Sequence, residues 1–138
     1  MPKKNDLGRK LSRRQLRDLD IEIGFMAAVV KRDPRFVEAL QVLGDDYTRR
    51  GKFAEGLKID EQLVQLNPED PTTLYNLACS YSLTKRYDEA VAVLGRAIDR
   101  GYLDFRWLVK DPDLQPLRQH PLFKKIQAQI RSVKIKVK

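Results

Sequence analysis

Two residues whose types could do chemistry occur once each in this 138-residue chain, Cys79 and His120. One cysteine excludes an intrachain disulfide and a cysteine-based zinc site. One histidine leaves a His-ligated metal or a Cys/His dyad without its usual partners. Cys79 lies between Ala78 and Ser80, so its neighbours supply no cation to lower the thiol pKa, and it reads as a small lining residue, not a nucleophile. His120, between Gln119 and Pro121, reads as a residue at the entrance to a last helix, because no nucleophile pattern accompanies it. The carboxylates come as neighbours, Asp45-Asp46 and Glu69-Asp70. Adjacent positions diverge on a helix or serve at caps, so no acid/base pair follows, and no enzyme, cofactor or metal is expected.

The charges point elsewhere. The chain carries 27 Lys+Arg against 19 Asp+Glu, a formal +8. Residues 1–17 are net +6 and 118–138 net +7, which leaves 18–117 at −5. Basic ends surround an acidic middle. Apolar residues make up 42% of the sequence, enough for a packed core, and the longest apolar run is far short of a membrane span. The first 17 residues hold no apolar stretch of the kind that forms a secretory signal, so a cytoplasmic, reducing setting is the expectation.

What positions these residues is a repeat. At an offset of 34, Pro34 maps to Pro68, Leu40 to Leu74, Leu43 to Leu77, Tyr47 to Tyr81, Phe53 to Tyr87 and Val64 to Ile98. Leu40, Leu43 and Tyr47, like Leu74, Leu77 and Tyr81, step by three and four, the spacing of one helical face. Gly51 stands where a helix C-terminus takes a left-handed residue, and Asp70-Pro71 suits an N-cap and first turn. Upstream, Leu16, Leu19, Ile23, Met26 and Val30 continue the spacing, with Ser12 and Gln15 as a capping box and Asp33-Pro34 as the stop. Downstream, Phe105 to Lys110 predicts a short helix ended by Asp111-Pro112. Phe123, Ile126, Ile130 and Val133 form the apolar stripe of a terminal helix.

Leu43, Gly44, Tyr47, Gly51, Phe53, Gly56 and Pro68, with Leu77, Ala78, Tyr81, Tyr87, Ala90 and Ala97 in the second unit, resemble the tetratricopeptide repeat (TPR) pattern. Lys85 in place of a turn glycine, Leu63 in place of a small residue and Asp60 in place of an aromatic depart from it. The resemblance implies an all-α, right-handed helix-turn-helix solenoid of about two full repeats with capping helices at both ends. A basic tail would occupy 1–11, a capping helix 12–33, the repeats 37–70 and 71–104, a degenerate third repeat and cap 105–130, and a second basic tail 131–138. "DPDLQPLRQHPLFKKI" is similar to a closing segment found after the last repeat of some TPR proteins.

TPR phasing implies a concave groove lined by Glu38, Gln41, Asp45, Thr48 and Arg49, then Thr72, Tyr75, Asn76, Cys79 and Ser82, with Arg106 and Lys110 from the third unit. The implied function is non-catalytic, a scaffold or adaptor that binds a peptide or helix of another protein, with self-association as a further expectation. A carboxylate clamp for acidic chaperone tails matches only at Asn76, Arg106 and Lys110; Gln41 and Asp45 depart from it. Trp107 is expected in the core at the end of the solenoid. The alternative is nucleic-acid binding through the basic ends, where Lys124, Arg131, Lys134 and Lys138 share a helical face. "SVKIKVK" also alternates as a strand would, a pattern able to extend a partner's sheet.

Overall fold

The computed structural model describes residues 10–136; Lys138 of the predicted basic face and most of the N-terminal tail lie outside the described residues. The chain is all-helical among these residues: α1 (Arg13–Arg32), α2 (Val37–Arg49), α3 (Phe53–Leu66), α4 (Pro71–Leu83), α5 (Tyr87–Asp99), α6 (Phe105–Leu108), a 3-10 turn (Pro112–Leu114), α7 (Gln115–Arg118) and α8 (Phe123–Lys136). From α1 to α5 each helix packs on the next, the arrangement of a TPR-like solenoid.

Local chemistry sets the ends of α1. Ser12 accepts from the Gln15 amide at 3.1 Å while the Gln15 side chain accepts from the Ser12 amide at 2.8 Å, so two of the otherwise orphaned donors are satisfied. Lys31 and Arg32 sit in the last turn, where the helix dipole favours cations, and Asp33 closes the helix. The inner face of α1 buries Leu19 and Ile23 with Leu40, Leu43, Ile59 and Leu63, and Met26 and Val30 pack alongside.

The two matched units share one turn. Gly51 ends α2 at φ 84° and Lys85 ends α4 at φ 63°, both left-handed. Behind them the same hydrogen bonds recur at the 34-residue offset: Lys52 N–H to Tyr47 C=O at 2.8 Å, and Arg86 N–H to Tyr81 C=O at 2.9 Å. The geometry is therefore held by the repeat, not by glycine alone. The helices of each pair approach closely at small residues. A Cβ on Gly44 would stand 3.2 Å from Ile59 Cγ2, and one on Gly56 3.1 Å from Thr48 Oγ1. Ala78 and Ala90, fully buried, hold the matching places in α4 and α5.

At the C-terminal end α8 lies against α5 through buried Phe123, Ile126 and Ile130, with Val133 partly buried, as its apolar stripe predicts. Gln129 donates to Gly95 C=O at 2.9 Å and to Asp99 at 3.0 Å. The short helix expected over 105–110 is present as one turn, Phe105–Leu108, and one expectation is corrected: residues 131–136 continue α8 instead of forming a separate tail or a strand.

This packing makes two outcomes measurable. Lys85 occupies a conformation that costs an L-residue with a Cβ about 1 kcal/mol or more, so Lys85→Gly is expected to raise stability by about 0.5–1 kcal/mol in urea melts. Between α1 and α2, burial first, then a hydrogen bond and like charge from Glu22, lift the Asp46 carboxyl to about 7, with Arg49 opposing. A raised acid binds its proton in the folded state, so the stabilisation is complete below the ordinary value of 3.8 and is lost progressively as pH rises towards about 7. Stability should fall by about 1–2 kcal/mol between pH about 4 and 7, and Asp46→Asn should flatten that slope in urea titrations at each pH.

Candidate functional site

A concave hollow of about 730 Å³ opens between α2, α4 and the segment from Gly101 to Asp111. The α2 side contributes Glu38, Gln41, Val42 and Asp45, the α4 side Thr72, Tyr75 and Asn76, and the facing side Tyr102, Leu103, Asp104 and Trp107. Helical spacing explains the first set, since Glu38, Gln41 and Asp45 step by three and four while Leu40 and Leu43 turn into the core.

Aromatic packing forms the floor. Tyr75 stacks on Tyr102 with centroids 4.1 Å apart and planes 8° from parallel. The buried Tyr75 hydroxyl donates to Asp111 Oδ2 at 2.7 Å, and the Cys79 thiol donates to the same oxygen at 3.7 Å. The other oxygen of Asp111 accepts from the Asp113 amide at 2.9 Å. Burial, with the Asp111 charge beside it, pushes the Tyr75 phenol far above its usual range, and burial does the same to Tyr102. Tyr75 is thus a neutral donor locked to the scaffold.

The hollow is acidic. Glu38, Asp45, Asp60, Asp104 and Asp111 line it, and among the described residues neither Lys nor Arg does. Asp60 accepts from Ser80 Oγ at 2.5 Å in the interior between α3 and α4. Asp104 is exposed and accepts from the Trp107 amide at 3.2 Å.

Of the twelve groove residues expected from phasing, the hollow contains Glu38, Gln41, Asp45, Thr72, Tyr75 and Asn76. Thr48, Cys79 and Ser82 are instead buried, at 3%, 0% and 0% exposure. Thr48 donates to Gly44 C=O at 3.1 Å within α2, under Gly56 of α3. Cys79 is covered by Asp111 and its turn, and Ser82 Oγ accepts from the Leu117 amide at 3.2 Å. The inner wall of α4 is therefore filled in part by the chain's own return, whose Leu108, Leu114 and Leu117 are fully buried. Arg49 is half-buried outside the hollow, while Arg106 and Lys110 are exposed and also outside it.

Sequence reasoning missed Asp111 and Tyr102 as parts of this site. Trp107, expected in the core, is half-buried and lines the hollow. The one readable signal for the return was Asp111-Pro112 followed by leucines at a spacing of three, Leu114 and Leu117. His120 sits at the entrance to α8 as expected, its Nδ1 accepting from the Leu122 amide at 3.1 Å and its ring stacked on Tyr87 at 4.5 Å. Cys79, Asp111 and Asp113 bring possible ligand atoms within 4.8 Å of one another. All three are buried, and Asp111 holds the Tyr75 hydroxyl and the Asp113 amide. On α8, Lys124, Arg131 and Lys134 are exposed.

Paired helices with a common turn and a hollow inner side define a helical-repeat scaffold, and residues 72–101 match the family described as tetratricopeptide repeat. The chain carries a TPR-like repeat domain, related to other TPR-containing proteins. It is 32% identical over 116 residues to the peroxisomal targeting signal receptor of Komagataella phaffii, covering 82% of this chain and 20% of the receptor. It is 37% identical over 59 residues to the Hsp70-Hsp90 organising protein of Plasmodium falciparum, covering 43% of this chain and 10% of that protein. It is also 33% identical over 79 residues to a chloroplastic protein of Arabidopsis thaliana, covering 55% of this chain and 24% of that protein. The chain spans a quarter or less of the length of these relatives. The described residues form an all-helical scaffold of the kind that TPR-containing relatives carry. No helix among the described residues is long and apolar enough to cross a membrane.

The Tyr75–Asp111 bond is directly testable. Tyr75→Phe keeps the ring stack and strips a buried carboxylate of its phenol donor, so a loss of about 1–3 kcal/mol is expected in urea denaturation. Tyr102→Phe, at the half-buried side of the stack, should cost less than that.

Proposed function

We propose that this chain is an interaction module whose hollow takes a segment of another protein carrying Lys or Arg. The supporting observation is the lining itself, five carboxylates beside Tyr102 and Trp107, with neither Lys nor Arg among the described lining residues. Carboxylates in a concave, partly desolvated wall concentrate negative potential, and aromatic rings give an ammonium or guanidinium group a second kind of contact. The same chemistry opposes a carboxylate clamp. Asp45 and Asp104 stand in the hollow, whereas Arg106 and Lys110, two of the three clamp matches, lie outside it. The kinship with an Hsp70-Hsp90 organising protein therefore does not bring an acidic-tail ligand to this groove.

A second reading rests on α8, whose Lys124, Lys125, Arg131 and Lys134 are exposed on a helix running to Lys136. This face suits nucleic acid or an acidic partner, and it also presents the cations that the groove of another copy would accept. Self-association of the groove with a second copy's α8 is the form it takes within the main reading. A cytoplasmic setting agrees with a single buried cysteine.

The test is a titration with a fluorescent ten-residue peptide carrying Lys and Arg, beside its Glu-substituted twin. The basic peptide is expected to bind, to weaken with added salt, and to lose about tenfold or more in affinity to Glu38→Lys with Asp104→Lys. Preference for the Glu peptide would overturn the reading. Binding of an oligonucleotide that survives these groove changes and disappears with residues 131–138 would favour the second one.

A further inference from the structure

Helix α1 has a second face that no other described residue covers. Its inner side is packed on α2 through Leu19 and Ile23, yet Ile21 and Phe25 are 66% and 65% exposed. They stand one turn apart on the opposite side of the helix, and exposed Gly24 and Ala28 lie beside them. A Cβ built on Gly24 meets no heavy atom within 4 Å. Small residues flanking two large apolar ones let another helix approach closely and bury Ile21 and Phe25. Arg17 and Arg32 bracket this patch on the same face, fifteen residues and about 22 Å apart along the helix, and Arg14 extends the basic end.

Charge decides among occupants. In an antiparallel pairing of two copies about Gly24 and Phe25, Arg17 of each would meet Arg32 of the other. In a parallel pairing each arginine would meet its own equivalent. Residues 1–9, with Lys3, Lys4 and Arg9 against Asp6, carry the same sign. Of the acids along the helix, Asp20 pairs with Arg50 at 2.7 Å and Glu22 sits beside Asp46, while exposed Asp18 lies on the stripe one turn before Ile21, outnumbered there by Arg14, Arg17 and Arg32.

The geometry points to a second interaction surface: the outer face of α1 docks an amphipathic helix of a partner protein whose apolar stripe covers Ile21 and Phe25 and whose carboxylates, about fifteen residues apart, meet Arg17 and Arg32. This surface is separate from the hollow and takes a ligand of opposite charge. A partner can therefore hold α1 while a basic segment occupies the groove.

The probe is a fluorescein-labelled helical peptide of about 20 residues, with leucines at steps of three and four and glutamates spaced to match Arg17 and Arg32, followed by anisotropy. The intact chain is expected to bind it. Gly24→Leu, which has open space around it, should weaken binding at least tenfold while thermal melts and circular dichroism stay unchanged. Phe25→Ser and Arg17→Glu with Arg32→Glu should do the same, and Glu38→Lys with Asp104→Lys should not, which separates this surface from the groove. The proposal fails if a scrambled peptide or a lysine-substituted one binds as well, or if Gly24→Leu has no effect. It also fails if Phe25→Ser abolishes sedimentation with phosphatidylserine vesicles that the peptide does not compete for, or if Gly24→Leu dissolves a dimer seen by light scattering.

Discussion

Close backbone contact between paired helices is the constraint on which the rest of this structure depends. Gly44 and Gly56 bring α2 and α3 together with almost no side chain between them at that point, and buried Ala78 and Ala90 do the same for α4 and α5. Such contact fixes the rotation of each helix about its axis, because any other rotation would set a larger residue into the seam. With rotation fixed, Leu40, Leu43, Leu74 and Leu77 face the core, and Glu38, Gln41, Thr72 and Asn76 face the hollow. The groove is thus a consequence of where small residues occur on its far side.

The repeat and the caps were legible because their causes are local. Ser12 with Gln15 and Asp70 with Pro71 act over three residues or fewer, and the apolar steps of three and four describe single helices. Lys85 shows how a local rule can bend. Its turn keeps the left-handed conformation of Gly51 since the flanking helices, already docked, impose it. The inner wall was only half legible for the opposite reason. Tyr75 meets Asp111 across 36 residues, and Ser82 meets Leu117 across 35. Neither pairing leaves a trace in helical phasing, which placed Cys79 and Ser82 on the correct side of α4 without knowing that the chain returns to cover them.

The end of α8 shows two periodicities in competition. Val133 and Ile135 alternate with lysines as a strand would, while Phe123, Ile126, Ile130 and Val133 keep the helical step. The helix prevails through Lys136 because each added residue extends a ladder already nucleated and anchored on α5. Among the described residues there is no strand for that segment to pair with.

The carboxylates of the hollow divide by what else they do. Asp111 bonds Tyr75 and caps its own turn, and Asp60 bonds Ser80 in the interior, so both are tied to the fold. Glu38 and Asp104 are exposed, and beside them Gln41 is exposed as well. Part of the negative potential is therefore built into the scaffold and would persist in any variant that folds. In the proposed reading, what distinguishes one cationic segment from another comes from the exposed set, whose side chains can change without disturbing the helix seams. A recognition surface of that kind would keep the sign of its ligand fixed while leaving its identity open to substitution.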